Sequence, residues 1–228
     1  MAGYYEEQLA AERLKRAYEI ASPRVRRYLE AELEHILSRI GKSDLVLDLG
    51  CGYGRTLPAL CGRARMVVGI DTSIPSLRLA AESLDPGVKC NLAAMDASAL
   101  GFPPDTFDVV CCIQNGISAF HVDGRTLVGE CVATVRPGGL VLLSSYAKGF
   151  WPDRLEWFER QAEEGLLGEI DRELTGGGRI VCKGGFTATT VGGEEFLSLC
   201  EGFPVTVEII EVDGSSLFCE MRKRKPQP

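Results

Sequence analysis

Apolar positions in the first forty residues recur at three- and four-residue steps: Ala10, Leu14, Ala17, Tyr18 and Ala21, then Leu29, Leu33, Ile36, Leu37 and Ile40. That period predicts two amphipathic helices before the first strand. Ser22-Pro23 separates them, because proline suits a first helical turn and disfavours helix in the residue before it, and Gly41 supplies the C-terminal stop. From Asp44 the pattern changes to short apolar runs alternating with helical segments, the sign of β-α-β units and of a parallel sheet covered on both faces. Strands are predicted at Leu45 to Asp48, Met66 to Ile70, Val88 to Leu92, Phe107 to Ile113 and Leu140 to Ser144. The helix with the clearest stripe carries Leu127, Val128, Cys131, Val132 and Val135, and Pro137-Gly138-Gly139 ends it.

After Tyr146 the alternation breaks at an insertion spanning about 147–191. A helix is predicted from Pro152 to Leu167, with Trp151, Leu155, Phe158, Ala162 and Leu166 along one side. Gly176-Gly177-Gly178 then turns a hairpin between Ile170 to Leu174 and Arg179 to Lys183. A short helix near Glu194 to Cys200 comes next, then strands at Val205 to Val212 and Ser216 to Met221 joined by Asp213-Gly214, a pair that favours a tight antiparallel turn. The fold class is α/β, doubly wound. Residues 1–41 form an N-terminal helical unit, and 42–228 the main domain.

Composition narrows the function more than the fold. The chain has 228 residues, 45% hydrophobic and 25% charged, which excludes disorder and suits one large domain. A net charge of −7 repels polyanions, so nucleic acid is not an expected partner, and the basic run Arg222 to Lys225 reads as a solvated end. No run reaches the roughly 18–20 apolar residues of a membrane span, and Met1 to Leu9 is acidic and aromatic, unlike a secretory leader. The expectation is a cytoplasmic protein with no membrane partner. The 9 cysteines are odd in number and form no Cys-x-x-Cys pair, so they read as small buried hydrophobes and no metal site is expected.

The strongest chemical signal is Val46-Leu47-Asp48-Leu49-Gly50-Cys51-Gly52-Tyr53-Gly54, a strand running through alternate glycines into a helix. Glycine lets a ligand approach main-chain N–H groups, and a helix N-terminus attracts a carboxylate or phosphate. The spacing Gly-x-Gly-x-Gly is neither the Gly-x-Gly-x-x-Gly of dinucleotide binders nor a P-loop. In Val68-Gly69-Ile70-Asp71-Thr72-Ser73 a second strand ends in an acid placed to accept both hydroxyls of a ribose lying across the strand ends.

Together these segments resemble the class I S-adenosylmethionine-dependent methyltransferases of small-molecule type, from about Asp44 to Ser145. Asp48 to Gly54 resembles the family's glycine motif, Asp71 its ribose-binding acid, and Met95-Asp96-Ala97 its adenine-flanking segment after strand three. Phe102 to Val110 resembles the approach to strand four, and Arg136-Pro137-Gly138-Gly139 the turn before strand five. The resemblance implies a seven-stranded, mostly parallel sheet with an antiparallel last strand. It also implies S-adenosylmethionine as cofactor, S-adenosylhomocysteine as product, and Asp48, Gly50, Cys51, Gly52, Gly54, Asp71, Thr72, Met95, Asp96, Ala97 and Gln114 at the cofactor.

The acceptor is less defined. Gln114-Asn115-Gly116-Ile117-Ser118-Ala119-Phe120-His121 comes after strand four, where the family places groups near the transferred methyl, and the Asn-Pro-Pro-Tyr/Phe pattern of nucleic-acid amino methylators is absent. A small-molecule acceptor is expected. His121 is the candidate general base, since imidazole titrates near neutrality, with packing as the alternative; Asn115 and Gln114 are candidates to orient acceptor or cofactor, or turn residues. Tyr5 and Tyr18, with Tyr4 and Arg13, are candidate lid residues, and Phe150, Trp151, Trp157 and Phe158 could wall the pocket or a homodimer interface. Two other readings stay open: a non-catalytic S-adenosylmethionine sensor or partner protein, and a thiol or metalloid methyltransferase using Cys182.

Overall fold

The computed structural model describes residues 9–226. Helices α1 (Ala11–Glu19) and α2 (Pro23–Arg39) come first, then β1 (Leu45–Leu49), α3 (Leu57–Arg63), β2 (Met66–Asp71), α4 (Ile74–Ser83), β3 (Cys90–Ala94) and β4 (Phe107–Cys112). After these come α5 (Gly116–Ala119), α6 (Gly124–Thr134), β5 (Val135–Tyr146), α7 (Trp151–Glu163), β6 (Ile180–Val181), β7 (Thr187–Ala188), α8 (Gly193–Cys200), β8 (Val205–Val212) and β9 (Ser216–Lys223). The main sheet has the order β3-β2-β1-β4-β5-β9-β8, and β9 alone runs against its neighbours. This is the predicted doubly wound sheet with an antiparallel last strand.

Both faces are covered for the reason the apolar runs gave. Ile36 of α2 with Ile40 just beyond it, Leu57 and Leu60 of α3, and Leu77 and Ala80 of α4 pack on one face against Val46, Val67, Val109 and Leu142. Leu127, Val128 and Cys131 of α6 with Phe196 and Cys200 of α8 cover the other, against Leu47, Val110, Val141 and Met221. A third apolar cluster joins Ala17 and Ala21 to Tyr28, Phe150, Trp157, Phe158 and Phe186, and so binds the N-terminal helices to the insertion. Strand order reverses between β1 and β4, and in open α/β sheets such a switch point opens a ligand crevice at the strands' carboxyl ends.

Local chemistry decides the boundaries. The Ser22 hydroxyl accepts the Val25 N–H and Pro23 opens α2, as predicted. Asp213 (φ 54°) and Gly214 (φ 63°) make the expected tight turn, with the Asp213 carboxylate held by Arg24 and Arg27 at 2.7 Å each. Other expectations are corrected. Gly41 is not the α2 stop: the helix ends at Arg39 with Ile40 extended, and the Gly41 N–H instead donates to Asp44 Oδ2. The third strand starts at Cys90, not Val88, because Val88 N–H closes a turn onto Asp85. Helix α7 stops at Glu163, where Gly165 takes positive φ. The predicted arms do meet, through the antiparallel bridges Ile170–Cys182 and Gly176–Arg179 and the bonds from Asp171 N–H to Val181 O and Lys183 N–H to Glu169 O, but as isolated bridges; the continuous ladder of Ile180–Val181 is with Thr187–Ala188, and Asp171 Oδ1 takes the N–H groups of Glu173 and Leu174. Arg136 to Gly139 lies inside β5 as a register shift against β4, not as a separate turn.

Candidate active site

A cleft of about 390 Å³ opens at the switch point. Its outer end is lined by Gly50, Cys51, Gly52, Asp71, Thr72, Met95, Asp96, Ala97, Phe120 and His121, and its inner end by Tyr18, Arg55, Gln114, Tyr146, Trp157, Phe158 and Gln161. The glycine loop reaches this shape through positive φ at Gly50 (73°), Gly52 (54°) and Gly54 (83°). The glycines differ in what they make room for. A Cβ on Gly50 would stand 2.6 Å from the Phe120 ring, and one on Gly54 would stand 2.9 Å from Ala80 of α4. Gly54 is outside the cleft lining, and its smallness serves packing of the loop against α4.

Four of the loop's main-chain donors are already engaged. Gly50 and Cys51 N–H both donate to Ile70 O, Gly52 N–H to Asp71 Oδ2 at 2.9 Å, and Gly54 N–H to Cys51 O. For these four the expectation of meeting an anionic ligand is corrected: the first three tie the loop to β2 and the fourth closes a turn within it. Asp71 also accepts the Ser73 N–H at 2.8 Å, so its carboxylate is fixed in place at the edge of the cleft. Asp96 Oδ1 is fixed likewise by Ser98 N–H and Oγ–H, both at 2.7 Å.

Asp48 lines the cleft from within β1 at 1% exposure, accepting from the Thr56 hydroxyl at 3.1 Å and the Cys111 thiol at 3.6 Å. Burial pushes its carboxyl up to about 6, against the lowering effect of those two donors and of Arg55. Cys51 is also buried, and burial raises its thiol.

The loop after β4 is strained. Gln114 (φ 54°), Asn115 (φ 60°) and His121 (φ 53°) all take left-handed backbone, costly for residues other than glycine. Gln114 lines the cleft and accepts from the Tyr18 hydroxyl. His121 stands exposed on the rim. Asn115 is not in the cleft: it is 4% exposed, its Oδ1 accepts from Ser145 Oγ at 2.8 Å and its Nδ2 donates to Thr189 O at 2.8 Å. Both ends of the amide hold the loop to β5 and to the end of the insertion.

Tyr18 sits where a lid residue would, against Tyr53 (5.9 Å between centroids) and Trp157 (5.7 Å). Arg13 donates to Gly165 O and Leu166 O, fastening α1 to the insertion. Tyr4 and Tyr5 lie outside the described residues. Of the insertion's aromatic residues, Trp157 and Phe158 line the cleft, whereas Phe150 and Trp151 do not. Cys182 is 3% exposed in the insertion's apolar core. Among the described residues no helix is long and apolar enough to cross a membrane.

Sequence reasoning missed Arg55, Tyr146 and Gln161. Arg55 is the one Lys or Arg among the described cleft-lining residues. Its guanidinium lies 5.2 Å from the Tyr18 ring centroid, and its Nη2 is buried with no hydrogen-bond partner among the described residues. Its place directly after the glycine loop was the available signal.

Residues 46–139 match the protein family described as "Methyltransferase domain". The matched segment holds the glycine loop, Asp71 and Asp96, the residues on which the resemblance to class I S-adenosylmethionine-dependent methyltransferases rests. Over 128 residues it is 31% identical to a ubiquinone biosynthesis O-methyltransferase of Colwellia psychrerythraea, covering 54% of this chain and 51% of that protein. It is 33% identical over 102 residues to a 2-methyl-6-phytyl-1,4-hydroquinone methyltransferase of Synechocystis, covering 44% and 31%. The chain thus spans about half or less of the length of these curated relatives. The N-methyltransferase NodS of Bradyrhizobium japonicum, solved with S-adenosyl-L-homocysteine, shares the fold with a TM-score of 0.55 at 15% identity, over 98% of this chain and 94% of that one.

Proposed function

We propose that this protein transfers the methyl group of S-adenosylmethionine to a small-molecule acceptor. The observation that carries the reading is a cleft with two unlike ends, one bearing fixed carboxylates and glycines at the strand ends, the other aromatic and covered by the N-terminal helix and the insertion. The lining residues fit the cofactor. Asp71 and Asp96 place fixed carboxylates at the strand ends where ribose and adenine would lie, and Met95 and Ala97 flank a flat base. Arg55 Nη2, buried and without a hydrogen-bond partner among the described residues, suits the carboxylate of the cofactor's amino-acid tail, because a buried donor left unpaired is costly and the N–H groups of Gly50, Cys51, Gly52 and Gly54 are engaged.

When bound, the sulfonium supplies an electrophilic methyl group. The chain's own residues then have two tasks: to hold the acceptor in line with that methyl, and to keep water away. Tyr18, Trp157 and Phe158 do the second from above, while Gln114 and Tyr146 bound the acceptor's space. The relatives' names, which specify quinone and hydroquinone chemistry, support a small-molecule acceptor.

Calorimetric titration with S-adenosylmethionine and S-adenosylhomocysteine, then a homocysteine-release screen over small amines, thiols, phenols and carboxylates, tests the reading. Micromolar binding with acceptor-dependent turnover is the expected result. A folded sample that binds neither ligand overturns it, and binding with no turnover across the screen favours a sensor.

A further inference from the structure

Seven of the nine cysteines are buried, as expected of small hydrophobes. Cys61 and Cys90 are the two that are not: both are half-exposed, and the fold sets them against each other. Cys61 stands in the last turn of α3, and Cys90 opens β3, the edge strand of the main sheet. Cys61 Sγ lies 4.0 Å from Lys89 O, beside the peptide link into Cys90, and the two thiols share a hydrogen bond. That bond makes them unequal. It lowers the Cys61 thiol against the opposing effects of partial burial and of Asp48, and it raises the Cys90 thiol, which burial raises further. Cys61 is therefore the better thiolate and Cys90 its proton-bearing neighbour.

A second thiol pair in the same molecule separates contact from access. Cys200 of α8 and Cys219 of β9 lie 3.8 Å apart, Sγ to Sγ. Their hydrogen bond lowers Cys200 and raises Cys219 in the same way, and Arg125 adds to the fall at Cys200. Both are closed off, at 4% and 0% exposure, and Cys200 Sγ also touches Met221 Sδ at 3.3 Å. Oxidation of a cysteine needs thiolate character and exposure together, so an oxidant in water reaches the first pair and not the second.

We infer that Cys61 and Cys90 are a modification site, a dithiol that a hydroperoxide oxidises to a disulfide. In the first step the Cys61 thiolate attacks one oxygen of hydrogen peroxide, the O–O bond breaks, and the leaving hydroxide takes up the proton that Cys61 lost. Cys61 is left as a sulfenic acid. In the second step the Cys90 sulfur attacks the Cys61 sulfur, the S–O bond breaks, and the hydroxyl departs as water with the Cys90 proton. Two thiols are oxidised to one disulfide, and one hydrogen peroxide is reduced to two waters. The new bond ties the edge strand β3 to α3 and closes a loop that carries β2, Asp71 and α4. Neither cysteine lines the cleft, so the chemistry of the pair stands apart from the methyl-transfer reading.

The test uses the full chain, reduced and freed of reductant, treated with a few equivalents of hydrogen peroxide, quenched with iodoacetamide and mapped by mass spectrometry without reduction. The expected product is two hydrogens lighter. It yields a cross-linked peptide joining the segments around Cys61 and Cys90, formed about tenfold or more faster than any product at Cys200 or Cys219. The map of the parent chain alone decides whether the pair forms, and two variants assign the steps. In Cys90→Ser, dimedone is expected to trap a sulfenic acid on Cys61; in Cys61→Ser, Cys90 is expected to stay unoxidised over the same time. A Cys200–Cys219 cross-link that forms first overturns the access argument. Recovery of Cys61 and Cys90 separately alkylated after peroxide overturns the pair, and trapping on Cys90 in Cys61→Ser overturns the order of attack.

Discussion

Replacing Arg55 by methionine separates the cofactor's amino-acid tail from its nucleoside. In the free protein Nη2 is buried without a partner among the described residues and makes no ion pair with the two nearby buried carboxyls: Asp48 accepts from Thr56 and Cys111, and Glu32 accepts through Oε1 from Ser144 at 2.6 Å and Ser216 at 3.0 Å, its Oε2 having no partner among the described residues. Removing the guanidinium therefore breaks no ion pair among the described residues, and the unliganded variant is expected to be no less stable than the parent. Binding is different. A hydrogen bond to a charged group contributes about 1.5–3 kcal/mol, which converts to roughly 10- to 150-fold in affinity. Isothermal titration of Arg55→Met should show that loss for S-adenosylhomocysteine. It should show almost none for 5′-methylthioadenosine, which keeps the nucleoside and thioether but has no carboxylate. An equal loss for both ligands would mean that Arg55 shapes the loop instead of meeting the tail. Unchanged affinity for S-adenosylhomocysteine would mean that the carboxylate is bound elsewhere.

Asp71→Ala should weaken both ligands, by about 1.5–3 kcal/mol, and also lower the melting temperature, because Asp71 holds the Gly52 and Ser73 N–H groups; an unchanged melting temperature would contradict the structural half of that role. Gly50→Ala should cost about 1–3 kcal/mol of stability in urea unfolding, from a left-handed φ and a Cβ driven into Phe120, and Phe120→Ala in the same chain should restore the part due to the clash. Asp48 makes stability depend on pH with a defined sign. Its carboxyl is raised from 3.8 to about 6, so the folded state keeps a proton that the unfolded chain releases, and stability falls as pH rises from about 4 to about 6 and is flat above. Two units correspond to about 3 kcal/mol. Asp48→Asn should therefore gain about 2–3 kcal/mol relative to the parent between pH 4 and pH 7 in urea titrations, and a pH-independent difference would refute the assignment.

The sheet was legible because its strands are apolar runs bounded by turn residues whose chemistry is local: Ser22-Pro23 opens a helix and Asp213-Gly214 closes a hairpin wherever they stand. The insertion was less so. Its strand Ile180–Val181 finds a second partner in Thr187–Ala188, a choice that Gly176-Gly177-Gly178 does not reveal. At the site, Asp71, Met95, Asp96 and Ala97 were readable because strand ends put them in the crevice whatever their neighbours do. Gly54 and Asn115 were misplaced for the opposite reason: whether a residue beside the crevice faces it or packs behind it depends on distant partners, Ala80 for the one and Ser145 and Thr189 for the other. Gln161 lies on an insertion helix whose stripe looked purely apolar, and only the fold brings it to the cleft.

The two ends of the cleft also differ in how they can be reached. Gly50, Thr72, Asp96 and His121 are exposed, so the nucleoside end is the open mouth. Tyr146, Trp157, Phe158 and Gln161 are each buried, at 7%, 6%, 4% and 3% exposure, so the inner end is closed. What closes it is α1, held on one side by its main-chain N–H at Ala11 on Ser76 Oγ and on the other by Trp157 Nε1 donating to Ala17 O at 2.8 Å. The outer fastening, Arg16 to Glu164 at 2.9 Å, is solvent-exposed on both partners and contributes little on its own; the apolar contacts of Ala17 and Ala21 with the insertion do most of the holding. On the proposed function, a cofactor seated across Asp71 and Asp96 would fill the open mouth. An acceptor arriving second would then enter where α1 meets the insertion, which requires α1 and α7 to part without unfolding, and the weak outer ion pair lies at that seam.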